Sequence, residues 1–423
     1  MGLVLAPEAD PLPHAASARE PSGLGLVVAV AALNVLSYVD RQLLVALAPL
    51  LIADLGLTRA QIGLLVGGPF IVVFAAGILV VGVLADRYNR PRLIALGLSV
   101  WSLATALTST ASGLVGLAIW RVLVGIGEAG LPATALSMVS DRVPARRLGV
   151  ATGVFYAGVP VGFALSFALS GVLGPRLGWR ACFLVLGATG LVCAMTVPLL
   201  RDPPRRDARP SADSSRLASA LGERPMLVVL TVAAVLLVYT SAASQHAITW
   251  LVAERGFEYA RAALLSGIVI LGAGLIGSVL IGAITDRARR AHPAGRLLAL
   301  AGVSVVGLAG AGAFYSLPPV GAAFYASWVV AQGYLLGWYG SLVAAVDERA
   351  PAGRRATVLG YLLLTINVFG VATGPYLTGL VADRTSLTHA LLWSLAPGGA
   401  GALILAVAGV VEWRSAGRPQ EVG

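Results

Sequence analysis

Twelve apolar runs, each close to the length that crosses a lipid bilayer, leave this chain little choice of solvent. They lie roughly at 24–49, 60–84, 93–112, 114–138, 149–172 and 179–200, then at 226–251, 262–284, 297–316, 319–346, 356–380 and 387–411. About twenty apolar residues in a helix match the hydrocarbon core, where the backbone must satisfy its own hydrogen bonds. The expected fold class is an all-α integral membrane protein with twelve transmembrane helices in two six-helix bundles. Composition agrees, since 57% hydrophobic and 12% charged residues are too few polar groups to coat a soluble globule.

The runs divide the chain. Residues 1–23, with Pro7, Pro11, Pro13 and Pro21 and no signal-peptide core, read as a disordered tail. Residues 24–200 form the first bundle and 226–411 the second, joined by a polar linker at 201–225 that lacks apolar periodicity. Residues 412–423 form a second tail. An even number of spans puts both tails on one side. Cys182 and Cys193 are the only cysteines; eleven residues apart on one helix they are roughly 16 Å apart and cannot pair.

A loop motif then relates the halves. Gly82, Asp86, Arg87 and Arg90 recur at an offset of 200 as Gly282, Asp286, Arg287 and Arg290. The repeat is parallel, and a second echo at an offset of 208 relates Arg146, Arg147, Gly162 and Gly171 to Arg354, Arg355, Gly370 and Gly379. On these residues the chain resembles the major facilitator superfamily of transporters. The resemblance implies that this loop joins the second and third spans of each half and gates the conformational change, its acid contacting a helix of the other half. Asp86 is therefore expected to bond the start of the eleventh span near Thr357, braced by Arg90. Asp286, in the more degraded copy, is expected to do less.

Arginine supplies every basic residue and the net charge is +10. In a soluble protein that would suggest nucleic acid, but here the arginines concentrate in short loops. Twenty-two fall on the side of the tails and the Asp-Arg loops, and six on the other side. The positive-inside rule places both termini in the cytoplasm.

The two remaining arginines, Arg41 and Arg121, lie inside spans. The first span carries Asn34, Tyr38, Asp40 and Arg41, and the fourth carries Arg121 and Glu128. Four unpaired midspan charges would cost about 10 kcal/mol or more, so they must pair or face water. At 1.5 Å per residue Asp40 and Arg121 each lie roughly 25 Å from the cytoplasmic end and can meet. Glu128 lies on nearly the same face as Arg121, about two turns nearer the cytoplasm. The ladder suits a proton relay in which Arg121 leans toward either acid and Arg41 compensates; the alternative is a fixed ion-pair network holding spans 1 and 4 together.

Tyr38-Val39-Asp40-Arg41, Asp86-Arg87-Tyr88-Asn89-Arg90, Arg121 through Ala129, Trp101-Ser102 and Phe155 through Gly162 resemble the spinster group of that superfamily, over roughly residues 30–190. The resemblance implies export of lysophospholipid-like or sphingolipid-like amphiphiles, with proton-coupling roles for Asp40 and Glu128. Tyr156 lies in one of these stretches and joins the candidate substrate cavity with Asn34 and Tyr38. The second half contributes Tyr239, Gln245 and His246 in its first span, Gln332, Tyr334 and Trp338 in the tenth span, and Asn367 in the eleventh.

The expected function is proton-coupled secondary transport of a lysolipid-like amphiphile by alternating access, in the plasma membrane of a bacterium, as a monomer. Drug or small-molecule efflux is the alternative, and a transport-fold sensor would need neither the charge ladder nor the glycine seams. The expected partners are the amphiphile, protons and the bilayer, with no nucleic acid, no cofactor and no metal. No nucleophile-base pair, phosphate loop or metal spacing suggests an enzyme.

Overall fold

The computed structural model describes residues 23–205, 224–351 and 354–416; most of both tails and of the linker lie outside them. Among the described residues the chain is all-α. Spans one to four are Leu24–Ala46, Arg59–Arg87, Arg90–Thr108 and Leu114–Arg142. Arg146–Leu199 is 54 residues long, which at 1.5 Å per residue far exceeds a bilayer core. It supplies the fifth and sixth spans, because Gly178 (φ 78, ψ 168) takes the backbone out of the helix. Positive φ is open to glycine at no steric cost. Pro225–Ala253, Tyr259–Ala291, Gly295–Ser316, Gly321–Arg349, Thr357–Arg384 and Leu387–Ser415 complete the twelve.

Two spans in the second half depart from α geometry midway. The seventh tightens into a 3₁₀ turn at Ser244–His246, and the eleventh widens into a π turn at Asn367–Val371. Such interruptions re-aim side chains and often accompany function.

Burial shows how the halves meet. One apolar core, including Leu44, Trp179, Phe183, Trp250, Phe314 and Leu387, draws on both halves and lies away from the termini. At the Arg-rich end the core separates. One cluster there comes almost entirely from the first half, around Trp101, Met138 and Phe155. Another comes from the second half alone, around Leu300, Tyr334 and Trp338. The two bundles therefore share a core at the far end and part toward the Arg-rich end.

Four helices make this seam. The second span packs on the eleventh so closely that a methyl at Gly63 would strike the Pro375 carbonyl, and one at Gly379 would strike the Arg59 carbonyl. The fifth meets the eighth through Gly171 against Ala263 and Gly267 against Ala164. Nearer the Arg-rich end of these helices, Gly82, Gly153, Gly282 and Gly360 face open space. Not every glycine of these spans serves the seam: Gly162 of the echo and nearby Gly158 pack on the first span, and Gly370 of the echo and nearby Gly374 on the seventh, each within its own half.

Candidate functional site

The first and fourth spans bring the four midspan ions together, but in crossed pairs. Arg41 Nε donates to Glu128 Oε2 at 2.6 Å, and the Ser37 hydroxyl donates to the same oxygen at 2.9 Å. Arg121 NH1 stands 3.9 Å from Asp40 Oδ1, in ion-pair range without a hydrogen bond, while Asp40 Oδ2 accepts from the Thr105 hydroxyl of the third span. Glu128 is thus held by Arg41 while Arg121 faces Asp40, the arrangement in which Arg41 compensates for the acid that Arg121 leaves. Ser37 and Arg41 are four residues apart on one helix face, so both reach the same carboxylate.

Two acids and two arginines leave the cluster formally neutral, which is how charges survive away from water. Its members are unequally satisfied. Arg121 Nε and NH1 and Glu128 Oε1 are buried without a hydrogen-bond partner. Only Arg41 has an appreciably exposed side chain, at 18%, against 3% for Asp40 and Arg121 and 0% for Glu128. Its guanidinium carbon lies 5.0 Å from the Tyr38 and Phe70 ring centroids and 4.2 Å from that of Phe74, and Arg121 lies 4.8 Å from Phe70. These aromatic faces stabilise cations while keeping bulk water away.

The cluster borders a cavity of about 330 Å³ between the halves. Arg41, Gln42, Arg121, Tyr38, Phe163 and Phe167 form part of its first-half wall; Ser241, Gln245, Trp328, Gln332 and Asn367 form part of the other. Tyr38, Gln245, Gln332 and Asn367 thus line the cavity expected from the sequence, and six other candidates do not. Asn34 donates to the Phe155 carbonyl at 2.8 Å and ties the first span to the fifth. His246 bonds the Pro375 carbonyl at 2.7 Å through Nε2, and Trp338 donates to Ser241 Oγ at 3.0 Å. Tyr239 packs edge-on against Trp393, Tyr334 covers Gly307, and Tyr156 is half exposed outside the cavity lining. Apart from Trp328, these second-half aromatics pack helices together, leaving smaller amides and hydroxyls as the polar groups at the cavity.

The expected gate is also rearranged. Asp86 and Arg87 are exposed, and among the described residues Asp86 has no hydrogen bond or ion pair. Arg90 does not brace it. Arg90 is buried and binds Asp141 of its own half through NH1 at 2.5 Å and Asp202, at the start of the linker, through Nε at 2.7 Å. In the second copy Asp286 pairs with Arg296 at 2.8 Å, while Arg287 and Arg290 are exposed.

A cross-half contact that the sequence reading missed closes the far end. Asp383, at the end of the eleventh span, accepts from the backbone N–H groups of Arg59 and Ala60 at 2.9 Å each. Thr58 caps the next amide of the same helix, from Gln61. Three otherwise unpartnered donors at the start of the second span are therefore satisfied, two of them by the other half, and an anion there also meets the helix dipole. The signal was in the sequence: Gly82-Val83-Leu84-Ala85-Asp86-Arg87 is echoed by Gly379-Leu380-Val381-Ala382-Asp383-Arg384. Gln42, Thr105, Phe70 and Phe74 were also missed; Gln42, a lone amide next to Arg41 in an apolar run, was the readable one.

Comparisons with known proteins agree with this architecture. Residues 30–375 match the family model described as Major Facilitator Superfamily. An MFS-type efflux pump of Mycolicibacterium smegmatis is 27% identical over 88% of this chain and 86% of its own length. Protein spinster homolog 1 of Homo sapiens is 26% identical over 86% of this chain and 74% of its own. Among solved structures, a bacterial homolog of the human lysosomal transporter spinster, described as inward-facing and unoccupied, superposes with a TM-score of 0.80. That match has 23% identity and covers 94% of this chain and 97% of the other, a likeness of fold.

Proposed function

The chain belongs to the Major Facilitator Superfamily, and from that premise we propose that it is a proton-coupled transporter of a lysophospholipid-like amphiphile. It works by alternating access in a bacterial plasma membrane, as a monomer with both termini in the cytoplasm. The observation that carries the reading is the buried four-ion cluster at the wall of an inter-half cavity, beneath a sealed far end. Asp40 and Glu128 take and release the proton, and Arg41 and Arg121 are the cations whose pairing changes with it. A probable sphingolipid transporter of Arabidopsis thaliana, 29% identical over 38% of this chain and 31% of its own length, supports an amphiphilic substrate, and the cavity's mix of aromatic, aliphatic and ionic lining suits one.

Motion follows from the seam. Parallel repeats rock about a midplane site, and the second and eleventh spans run antiparallel across it. Asp383 caps the second span at the far end in this state. Asp86 takes the reciprocal place at the start of the eleventh span when the cytoplasmic end closes. Under this reading the present state faces the cytoplasm.

Labelled lysolipids and amphiphilic drugs in proteoliposomes with an imposed pH gradient test the proposal. Gradient-driven lysolipid movement supports it. Movement of drugs alone would favour efflux, in line with the mycobacterial relative.

A further inference from the structure

The cavity holds a second polar set that ion coupling does not use. Gln42 is only 6% exposed, and Gln245 and Gln332 are half-buried, yet all three line the cavity. Among the described residues none of their amides makes a hydrogen bond within the protein. Each amide offers two N–H donors and one carbonyl acceptor. Buried polar groups are normally partnered, and a group left unpaired in a cavity wall is available to a ligand. The 3₁₀ turn at Ser244–His246 contains Gln245, while Gln42 follows Arg41 directly in the first span.

Chemistry decides what such a set recognises. Phosphate and carboxylate groups only accept, and the nearby arginines answer them with donors alone. An amide both donates and accepts, so its best complement is a group that does the same. Hydroxyls qualify, and acyl tails do not.

Resting on the lysolipid reading, we propose that Gln42, Gln245 and Gln332 form a hydroxyl-recognising subsite beside Arg41, selecting amphiphiles with a free hydroxyl next to the charged headgroup. Substrates with that position blocked or deoxygenated leave the three amides unpaired and are rejected. Sites built to hydrogen-bond a substrate hydroxyl discriminate this way more sharply than apolar pockets do.

The test uses the full chain in lipid nanodiscs, titrated with a lysophosphatidic acid and its 2-deoxy analogue. The wild type should bind the hydroxylated lipid about tenfold or more tightly than the analogue, in line with one lost buried hydrogen bond. Gln245→Leu and Gln332→Leu should weaken the hydroxylated lipid and leave the deoxy lipid nearly unchanged, bringing the ratio toward one. Gln332→Glu, close in shape, should also lower the ratio, and thermal unfolding of each variant confirms that it is folded. Equal binding of the two lipids by the wild type, or equal losses for both in the variants, overturns the subsite. If neither lipid binds the wild type, the lysolipid reading fails, and an alkyl glucoside with its 2-deoxy counterpart decides the subsite. No preference for the hydroxylated glucoside, or one the variants keep, then overturns it.

Discussion

The two halves repeat one architecture but furnish the cavity differently. The first half brings Asp40, Arg41, Arg121 and Glu128 to it, two acids against two arginines. At its lining the second half brings Ser241, Gln245, Gln332 and Asn367, all uncharged. Repacking the first half means moving charges in a dry environment, where a changed proton count alters the pairing of every other member. Repacking the second half moves neutral amides, with smaller energetic consequences. Under the proposed function the difference is a division of labour: the proton acts on the first half, and the shape and hydrogen bonding of the substrate are read largely by the second.

Removing one charge should give the largest effect and break the comparison if it does not. Arg121→Leu strands Asp40 and is expected to destabilise the protein by about 3–5 kcal/mol, as for other broken buried pairs. Gln332→Leu is expected to cost less than about 1 kcal/mol, since its amide has no partner to strand. Thermal unfolding in one lipid mixture compares the two directly; similar losses would mean that the halves do not differ as described.

A smaller effect is expected at the seam. Asp383→Asn removes the charge from a cap worth about 1–2 kcal/mol, a factor of 5–30 in a two-state ratio. Spin-label distances across the far end should shift toward the open form. Asp86→Asn should move the equilibrium the other way, toward an open cytoplasmic end, and Asp286→Asn should move it less because Asp286 pairs with Arg296 of its own half. Shifts of one sign for Asp86 and Asp383 would contradict reciprocal latching.

The smallest effect lies outside the spans. Burial raises the Glu254 pKa, but hydrogen bonds from the Thr388 hydroxyl and from the Thr388 and Leu387 amides outweigh it and hold the carboxyl below its usual range. A carboxyl depressed by folding contributes stability above its unfolded pKa and loses it as pH falls through the folded one. Wild-type unfolding should therefore weaken in acid more steeply than that of Glu254→Gln, and parallel acid limbs would remove Glu254 from the account.

How much of this was legible follows from which residues had no alternative. Midspan charges in a lipid-length apolar run can only be paired or wet, so Asp40, Arg41, Arg121 and Glu128 stand out from the sequence alone. Which arginine holds Glu128 does not, because that depends on how the first span is rotated and set in depth against the fourth, and periodicity fixes a face only to within a residue or so. Tyr239, Tyr334 and Trp338 misled for a similar reason: an aromatic in a span packs as readily against a neighbouring glycine as it faces a cavity. The twelve spans were readable from length alone, yet Gly178 was needed to divide the longest helix. Thr105 gave no signal, since a threonine in an apolar span ordinarily bonds its own helix.

The central claim is that protonation of the first-half cluster sets which end of the seam is open. Spin-label distances across the cytoplasmic end, measured from acid to neutral pH, test it most directly. The account predicts a pH-dependent shift in the wild type, part of it lost in Asp40→Asn, part in Glu128→Gln, and all of it in the double variant. Wild-type pH dependence in both single variants would contradict the account and leave the cluster a fixed brace between the first and fourth spans.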